Sequence, residues 1–334
     1  MNKLALKTKV KGVYRRYDPL LLKNGHLALF NSLNTIIFHK NFKEEKTKHE
    51  NDNISVMKQL KNGLIIGAFK SLFIYSVIKS KMILSKSIDI PNLLEEEYIM
   101  DLIELRNGDL IAITEFKLLK IKLGDNNDEI TQIYEFLESV LFCNNIRFFE
   151  EKKLNIHDLG NNNILIHSQI IAYLSNYKNK TIIFNLDNFK IIEYKIFQKK
   201  ASIVVLEKYF CICDSKYISI YDINDYEKLL NTIYINHSFV NKFNETSIIL
   251  LRNLQSYHVY CNKDIILINL SDIKDIKYQN FHMDFINLKS SSIFCPTKLL
   301  KLDSNELIIF SEYIIYVCVF MKPFDFKPIE GLLN

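Results

Sequence analysis

Short apolar runs separated by polar breaks extend along the whole chain. The clearest stretch is "YIMDLIELRNGDLIAITEFKLLKIKL", residues 98–123, in which three apolar runs are separated by Arg-Asn-Gly and by a short polar gap. Its apolar runs are rich in β-branched and aromatic residues, which favour strands over helices. Asn-Gly between apolar runs is a strong hairpin signal, because both residues tolerate positive φ. The stretch therefore predicts three consecutive antiparallel strands.

The same pattern recurs along the chain. "LKNG" occupies residues 22–25 and 60–63, and "LRNG" occupies 105–108. Four further copies keep the apolar pattern without the glycine. The predicted turns of the seven copies lie at Gly25, Gly63, Gly108, Asn162, Lys208, Glu245 and Ser304. Seven copies over 334 residues give about 48 residues per unit, which fits a four-stranded propeller blade, whereas leucine-rich repeats are shorter and helical repeats need a 3.6-residue period.

The predicted third strands end in a recognisable way. "YISIYDIND", Tyr217–Asp225, resembles the end of the third strand of WD repeats, with Tyr221 and Asp222 at the positions of the Trp-Asp pair. Similar endings occur at Phe38, Tyr75, Phe184 and Tyr316, although the chain has no tryptophan and kelch-like propellers share this strand pattern. The resemblance covers nearly the whole chain. It implies an all-β fold, a seven-bladed β-propeller with four-stranded antiparallel blades.

The pattern also predicts how the domain is bounded. Residues 1–334 are expected to form one propeller domain. WD-type propellers often close by pairing an N-terminal strand with the last blade, so residues 1–12 are expected to close the seventh blade, with Leu4–Val10 as its outer strand. Closure would remove exposed strand edges. Residues 40–53, "KNFKEEKTKHENDN", mix both charges and predict a mobile, solvated loop, with an outer strand as the alternative.

Unequal spacing between the copies predicts a partner-binding face. Extra residues form two long hairpins between second and third strands, at 169–180 and 253–264. Extra residues also precede the first strands, at 92–98, 140–154 and 281–296. In WD-type propellers these two loop classes open on the same face. Aromatic residues on the long hairpins and lysines on shorter turns are the predicted partner-binding residues: Tyr173, Tyr177, Tyr257, Tyr260, Lys70, Lys117 and Lys216.

Charge and hydropathy narrow the choice of partner. The formal net charge is +5, from 43 basic and 38 acidic residues, which is too small an excess to indicate nucleic-acid binding without a clustered patch. No apolar run approaches the roughly 18 residues of a membrane-spanning helix. The N-terminal "MNKLALKTKVKG" lacks the apolar core of a secretory signal, so we expect an intracellular, cytoplasmic protein without membrane insertion.

Cys211 and Cys213, one residue apart, predict buried reduced thiols rather than a zinc site.

Catalytic motifs are missing from the sequence. It contains no phosphate loop, nucleophile elbow or dinucleotide fingerprint, and its eight histidines form no closely spaced pair, so neither a metal nor a cofactor is expected. Asp101, His157 and Asp158 are the only first-strand candidates for an enzyme acting in a central channel. The sequence thus predicts a non-catalytic scaffold that binds a protein partner. The alternative is a structural subunit of a ribonucleoprotein or other large assembly, contacting RNA through a rim of lysines.

Overall fold

The computed structural model describes residues 2–11, 18–30, 34–38, 44–48, 54–78, 81–124, 128–136, 151–171, 179–197, 201–214, 216–252, 264–283, 296–303, 305–311, 314–321 and 324–328. The chain divides into two compact units. One contains Tyr17–Lys200, and the other contains Met1–Arg16 with Ala201–Asn334. The expectation of a single domain over residues 1–334 stays a prediction.

The unit Tyr17–Lys200 contains four sheets of four strands, each an antiparallel meander. Strands are numbered along the chain from β1 (Asn2–Lys11), which belongs to the other unit. Sheet 1 contains β2 (Asp18–Leu21), β3 (Leu27–Phe30), β4 (Asn34–Phe38) and β5 (Glu44–Lys48). Sheet 2 contains β6 (Val56–Gln59), β7 (Ile65–Ala68), β8 (Ser71–Ile78) and β9 (Lys81–Asp89). Sheet 3 contains β10 (Asp101–Glu104), β11 (Leu110–Ile113), β12 (Lys117–Lys122) and β13 (Glu129–Glu135). Sheet 4 contains β14 (Glu151–Gly160), β15 (Asn163–Ile171), β16 (Asn179–Asn185) and β17 (Lys190–Phe197).

The second unit contains one more four-stranded sheet and one sheet of nine strands. Sheet 5 contains β18 (Ser202–Val205), β19 (Tyr209–Cys213), β20 (Tyr217–Asp222) and β21 (Leu229–Tyr234). The nine-stranded sheet contains β1 with β22 (His237–Asn244), β23 (Ser247–Arg252), β24 (Asp264–Asn269), β25 (Lys277–His282), β26 (Pro296–Asp303), β27 (Glu306–Ser311), β28 (Ile314–Phe320) and β29 (Lys327–Pro328).

The described residues therefore form six sheets, and the prediction of seven separate blades is wrong in its count. The difference arises at β1. This strand pairs with β28 in antiparallel register from Leu4 to Lys11, where an outer strand was predicted, and also with β25 in parallel through Asn2 and Lys3. The short parallel contact with β25 joins the run β22-β23-β24-β25 to the run β1-β28-β27-β26.

The hydrophobic core lies between neighbouring sheets. Second strands such as β3, β7 and β11 are buried at every residue, which explains why they are continuous apolar runs. In sheet 5, Phe210 of β19 stacks on Tyr221 of β20 with ring centroids 5.1 Å apart, so the aromatic residue of the WD-like pair packs inside its sheet. Asp222, the second member of that pair, accepts a hydrogen bond from the backbone N–H of Asn224 at 2.9 Å.

The recurring "LKNG" turn joins the first two strands of sheets 1 to 3 through a glycine with positive φ. The φ values are 79° at Gly25, 93° at Gly63 and 89° at Gly108, and each glycine N–H donates to the carbonyl three residues earlier. The preceding asparagines do not have positive φ, contrary to the sequence argument. Each instead accepts, through its side-chain oxygen, the N–H of the residue after the glycine, at 3.0 to 3.1 Å.

Two further predictions can be compared with the strands. Glu44–Lys48 forms β5, the fourth strand of sheet 1, so this part of the expected mobile loop at 40–53 is an outer strand because its backbone pairs with β4. The remainder of 40–53 lies outside the described residues.

Cys211, Cys213 and Cys318 are buried free thiols, and burial raises the pKa of Cys211 to about 12. No helix in the described part of the chain has the length and apolarity needed to cross a membrane.

Candidate functional site

The predicted partner-binding residues fall into two groups. Tyr173, Tyr177, Tyr257 and Tyr260 lie outside the described residues, so their role stays a prediction. The three lysines are described, and they differ in environment. Lys70 is exposed, Lys216 is half-buried, and Lys117 is buried.

Hydrogen bonds in the turns explain the difference. In each of sheets 2, 3 and 5, the N–H of the residue after the fourth strand donates to a carbonyl in the turn between second and third strands. The accepting residues are Lys70, Phe116 and Lys216. Lys70 and Lys216 are themselves accepting residues, whereas Lys117 follows the accepting residue Phe116 and is the first residue of β12. Lys117 is buried together with Leu118 and Leu119, so both faces of β12 are covered at the start of the strand.

Lys117 forms a buried ion pair with Glu97. Its Nζ lies 3.0 Å from Glu97 Oε2, and the two side chains are 10% and 0% exposed. The carboxylate also accepts hydrogen bonds from the Thr114 hydroxyl and, at 3.1 Å, from the N–H of Leu94. A second hydrogen bond runs from Lys117 Nζ to the carbonyl of Asn92 at 2.5 Å. Both charges therefore have the several partners that a buried ion pair requires.

These contacts fix the loop of residues 90–98, which forms most of the connection between β9 and β10. The exposed Lys70 reaches the same loop, because its Nζ donates to the carbonyl of Glu95. At the end of the loop, the ring of Tyr98 stacks on Phe69 with centroids 5.1 Å apart. The structure thus brings Lys70 and Lys117 together around one loop. The sequence predicts two loop classes on one face: turns between second and third strands, and loops before first strands. One loop of each class lies side by side at this point of the unit Tyr17–Lys200.

The outer surface of the loop is exposed, whereas its inner side is fixed by the ion pair and hydrogen bonds of Glu97. Leu94 is 59% exposed, and Glu95 and Glu96 beside it are also exposed. Sequence reasoning marked residues 92–98 as a long loop but did not single out Leu94 or Glu97. Residues 95–97 are three successive glutamates, and the sequence does not distinguish the one that is buried. The burial of Glu97 depends on its contact with Lys117, which is distant in the sequence.

The first-strand candidates for catalysis have structural partners. Asp101 is buried, lies 3.0 Å from Lys58 Nζ, and accepts the N–H of Ile156 at 3.0 Å, so it links β6, β10 and β14. Asp158 accepts the N–H of Gly160 within its own turn at 2.8 Å. Burial lowers the pKa of His157 to about 4, although the Asp101 charge raises it. Among the described residues, no group of three metal-ligating side chains is assembled.

The basic residue of the "LKNG" turn links successive turns in the unit Tyr17–Lys200. Lys23 Nζ donates to the carbonyl of Lys61, and Lys61 Nζ donates to that of Leu105 at 2.6 Å. The backbone N–H groups of Lys23 and Lys61 donate to the side chains of Gln59 and Glu104, at 2.7 and 2.6 Å. The lysines of the motif therefore have structural partners within this unit.

Comparison with known proteins identifies the fold. No protein-family model matches the chain, and no curated protein matches its sequence. Among solved structures, the WD40 β-propeller domain of Doa1 is similar at a TM-score of 0.59 and 12% identity, over 94% of this chain and 96% of that one. BBS1N, crystallised in complex with ARL6DN, is similar at a TM-score of 0.54 and 12% identity, over 96% and 98%. The prediction of an all-β propeller with four-stranded sheets is confirmed at this level.

Proposed function

We propose that this protein is a non-catalytic scaffold and that the loop of residues 90–98 is part of the surface that binds its protein partner. The observation that carries the proposal is the contrast within this loop. Glu97 is held from inside by Lys117 and Thr114, and the backbone carbonyl of Glu95 accepts from the exposed Lys70, while Leu94 is 59% exposed. The similarity to WD40 propellers is consistent with an interaction scaffold, and the similar BBS1N was crystallised in complex with ARL6DN.

A loop fixed in this way suits binding. Association costs free energy for every side chain and loop that must be ordered, so a loop that is ordered beforehand binds with less entropic loss. The Glu97–Lys117 pair supplies this order without using the exposed surface. An exposed apolar side chain on an ordered loop can then act as an anchor.

The chemistry of the loop favours a protein over RNA. Its exposed residues are Pro91, Asn92, Leu94, Glu95 and Glu96, and the two carboxylates repel phosphate. The matching partner surface is an apolar pocket bordered by basic side chains. The predicted lysine rim gives RNA binding less support, because the ammonium of Lys117 is engaged by Glu97 and that of Lys70 by the carbonyl of Glu95.

Affinity capture of the intact protein followed by mass spectrometry tests this proposal. Leu94→Ser should remove the partner from the captured set without lowering the melting temperature, because the side chain is exposed. Leu229→Ser is the matched control, since Leu229 is 50% exposed and lies in the other unit. Nuclease treatment and raised salt should leave the capture intact if the partner is a protein.

A second variant tests the role of the buried pair. Lys117→Met leaves Glu97 without its counter-ion, so the loop should loosen and capture should fall although Leu94 is unchanged. The proposal is overturned if the same partners are captured with Leu94→Ser as with the wild type. Capture abolished by nuclease in all variants would instead favour the RNA-contacting subunit.

A further inference from the structure

An aromatic groove in the unit that contains Ala201–Asn334 is occupied by a segment of the chain itself. Phe324–Pro328 runs antiparallel to β25, with Pro328 opposite Lys277 and Lys327 opposite Tyr278. Beyond this short ladder, the N–H of Asp325 donates to Gln279 Oε1 at 2.8 Å. The segment therefore follows the outer edge of β25 as an added strand, which is a common mode of peptide recognition.

The groove is built from phenylalanines on three different strands. The Phe324 ring lies against Phe243 of β22, Phe281 of β25 and Phe320 of β28, with centroid distances of 5.7, 6.1 and 5.2 Å. The interplanar angles of 89°, 88° and 70° are the edge-to-face geometry that aromatic pairs prefer. Phe326 packs against the same buried cluster. Two aromatic residues at alternate positions of the segment thus face the groove.

The segment is held by few contacts, whereas the groove belongs to the sheet. Phe324 remains 37% exposed, and Asp325, Lys327 and Pro328 are exposed. Phe243, Phe281 and Phe320 are buried and belong to strands with their own pairing. Removing the segment would therefore uncover an apolar groove without removing a strand from the body of the sheet.

The strand edge also has polar groups that the segment does not satisfy. Within the described part of the chain, the side-chain nitrogen of Gln279 and the side-chain oxygen of Asn280 are buried without a hydrogen-bond partner. They lie between the stretch of β25 paired with β29, Lys277–Tyr278, and the stretch paired with β1, Phe281–His282. A buried polar atom without a partner is costly. Adjacent side chains of a strand point to opposite faces, so an added segment can reach only one of these two atoms. The Gln279 side chain already accepts from Asp325, so its nitrogen is the one that a carbonyl of an extended peptide can satisfy.

We propose that this edge of β25 and its phenylalanine cluster form a binding groove for an extended segment of another protein carrying Phe-X-Phe, and that Phe324–Pro328 fills the groove in the free protein. The chain's own segment shows the chemistry that is recognised: two phenylalanines at alternate positions and a backbone aligned with β25. The groove is a second site, separate from the loop of residues 90–98 in the other unit. Because a tethered segment acts at an effective concentration of about millimolar, it competes strongly with a free peptide.

Fluorescence polarisation with a labelled synthetic peptide tests the groove. The probe is "MKPFDFKPIE", the sequence of residues 321–330. The full chain with Phe324→Ala and Phe326→Ala should bind it at least about tenfold more tightly than the wild type, because the tethered competitor is weakened. A probe with both phenylalanines replaced by alanine should bind neither protein. Phe189→Ala, at a 45% exposed phenylalanine of the other unit, should bind the probe as the wild type does.

A groove variant and the oligomeric state complete the test. Adding Phe243→Leu to the double variant should weaken probe binding again, with melting curves showing that each variant is folded. Absence of binding by a folded double variant would overturn the proposal, as would equal binding of the alanine probe. A wild-type dimer that disappears in the double variant would also overturn it, since the segment would then be exchanged between two copies.

Discussion

At the scale of single residues, the "LKNG" turn separates two roles that its sequence does not distinguish. Glycine supplies the positive φ, and asparagine supplies a side-chain acceptor while keeping ordinary φ. The sequence was sufficient to predict the turn, because few dipeptides other than Asn-Gly fit a short hairpin. It could not show which residue bears the left-handed conformation, since asparagine tolerates that conformation as well.

Substitution of Gly63 tests this division of roles. Its φ is 93° and an added Cβ would meet nothing within 4 Å, so the cost of Gly63→Ala is conformational and should be about 1–2 kcal/mol. Gly63→Asn should cost less. Gly67→Ala is the steric comparison, since its Cβ would lie 3.0 Å from Ile54 Cδ1 without positive φ. Chemical denaturation measures all three, and equal losses for Gly63→Ala and Gly63→Asn would contradict the conformational explanation.

At the scale of strands, the apolar pattern predicted most of the structure that the chain forms. Continuous apolar runs became buried second strands. The aromatic positions selected from the sequence lie within third strands and Tyr75, Phe184 and Tyr316 are buried, but β8 and β28 continue beyond Tyr75 and Tyr316 to Ile78 and Phe320. The pattern was weaker for outer strands. The sequence "EEKTK" of β5 contains no apolar residue, yet its backbone pairs with β4, and composition does not reveal such pairing.

Long-range contacts limited what sequence could show of the candidate site. Residues 92–98 stood out by length alone. The burial of Glu97 depends on Lys117, 20 residues away, and on a one-residue offset in the turn before β12. In the same way, the parallel contact of β1 with β25 joins two runs that the repeat pattern treats as separate blades. No local propensity encodes such pairings, because the partners meet only after the sheets pack.

The strand β1 offers a direct test of how much it stabilises its unit. Leu4 is 2% exposed and packs in the same cluster as Phe281 and Cys318, whereas Leu6 on the same strand is 39% exposed. Leu4→Ala should therefore lower the free energy of unfolding by about 2–5 kcal/mol, and Leu6→Ala by less than about 1 kcal/mol. Similar losses for the two variants, measured by denaturant unfolding, would show that β1 contributes backbone pairing but little core.

At the scale of the whole molecule, charge and burial predict how stability depends on pH. His157 and His237 lie in different units, and burial lowers the pKa of both side chains, that of His157 to about 4. His237 Nδ1 lies 2.8 Å from the carbonyl of Ile235, which raises the pKa in part. Both histidines are therefore neutral in the folded protein at a pH where the unfolded chain already binds protons.

The sign of the effect follows from proton linkage. An unfolded histidine has a pKa of about 6.5, so below that pH the unfolded state takes up protons that the folded state excludes, and stability falls as the pH falls. For His157 the loss extends from about pH 6.5 to about 4 and stays below about 3 kcal/mol, because its half-buried side chain keeps some contact with water. His157→Asn should make the melting temperature less dependent on pH across this window, while an additional His237→Asn should reduce the slope further. Parallel curves for wild type and both variants, offset by a constant amount, would show that carboxylates rather than these histidines govern acid destabilisation.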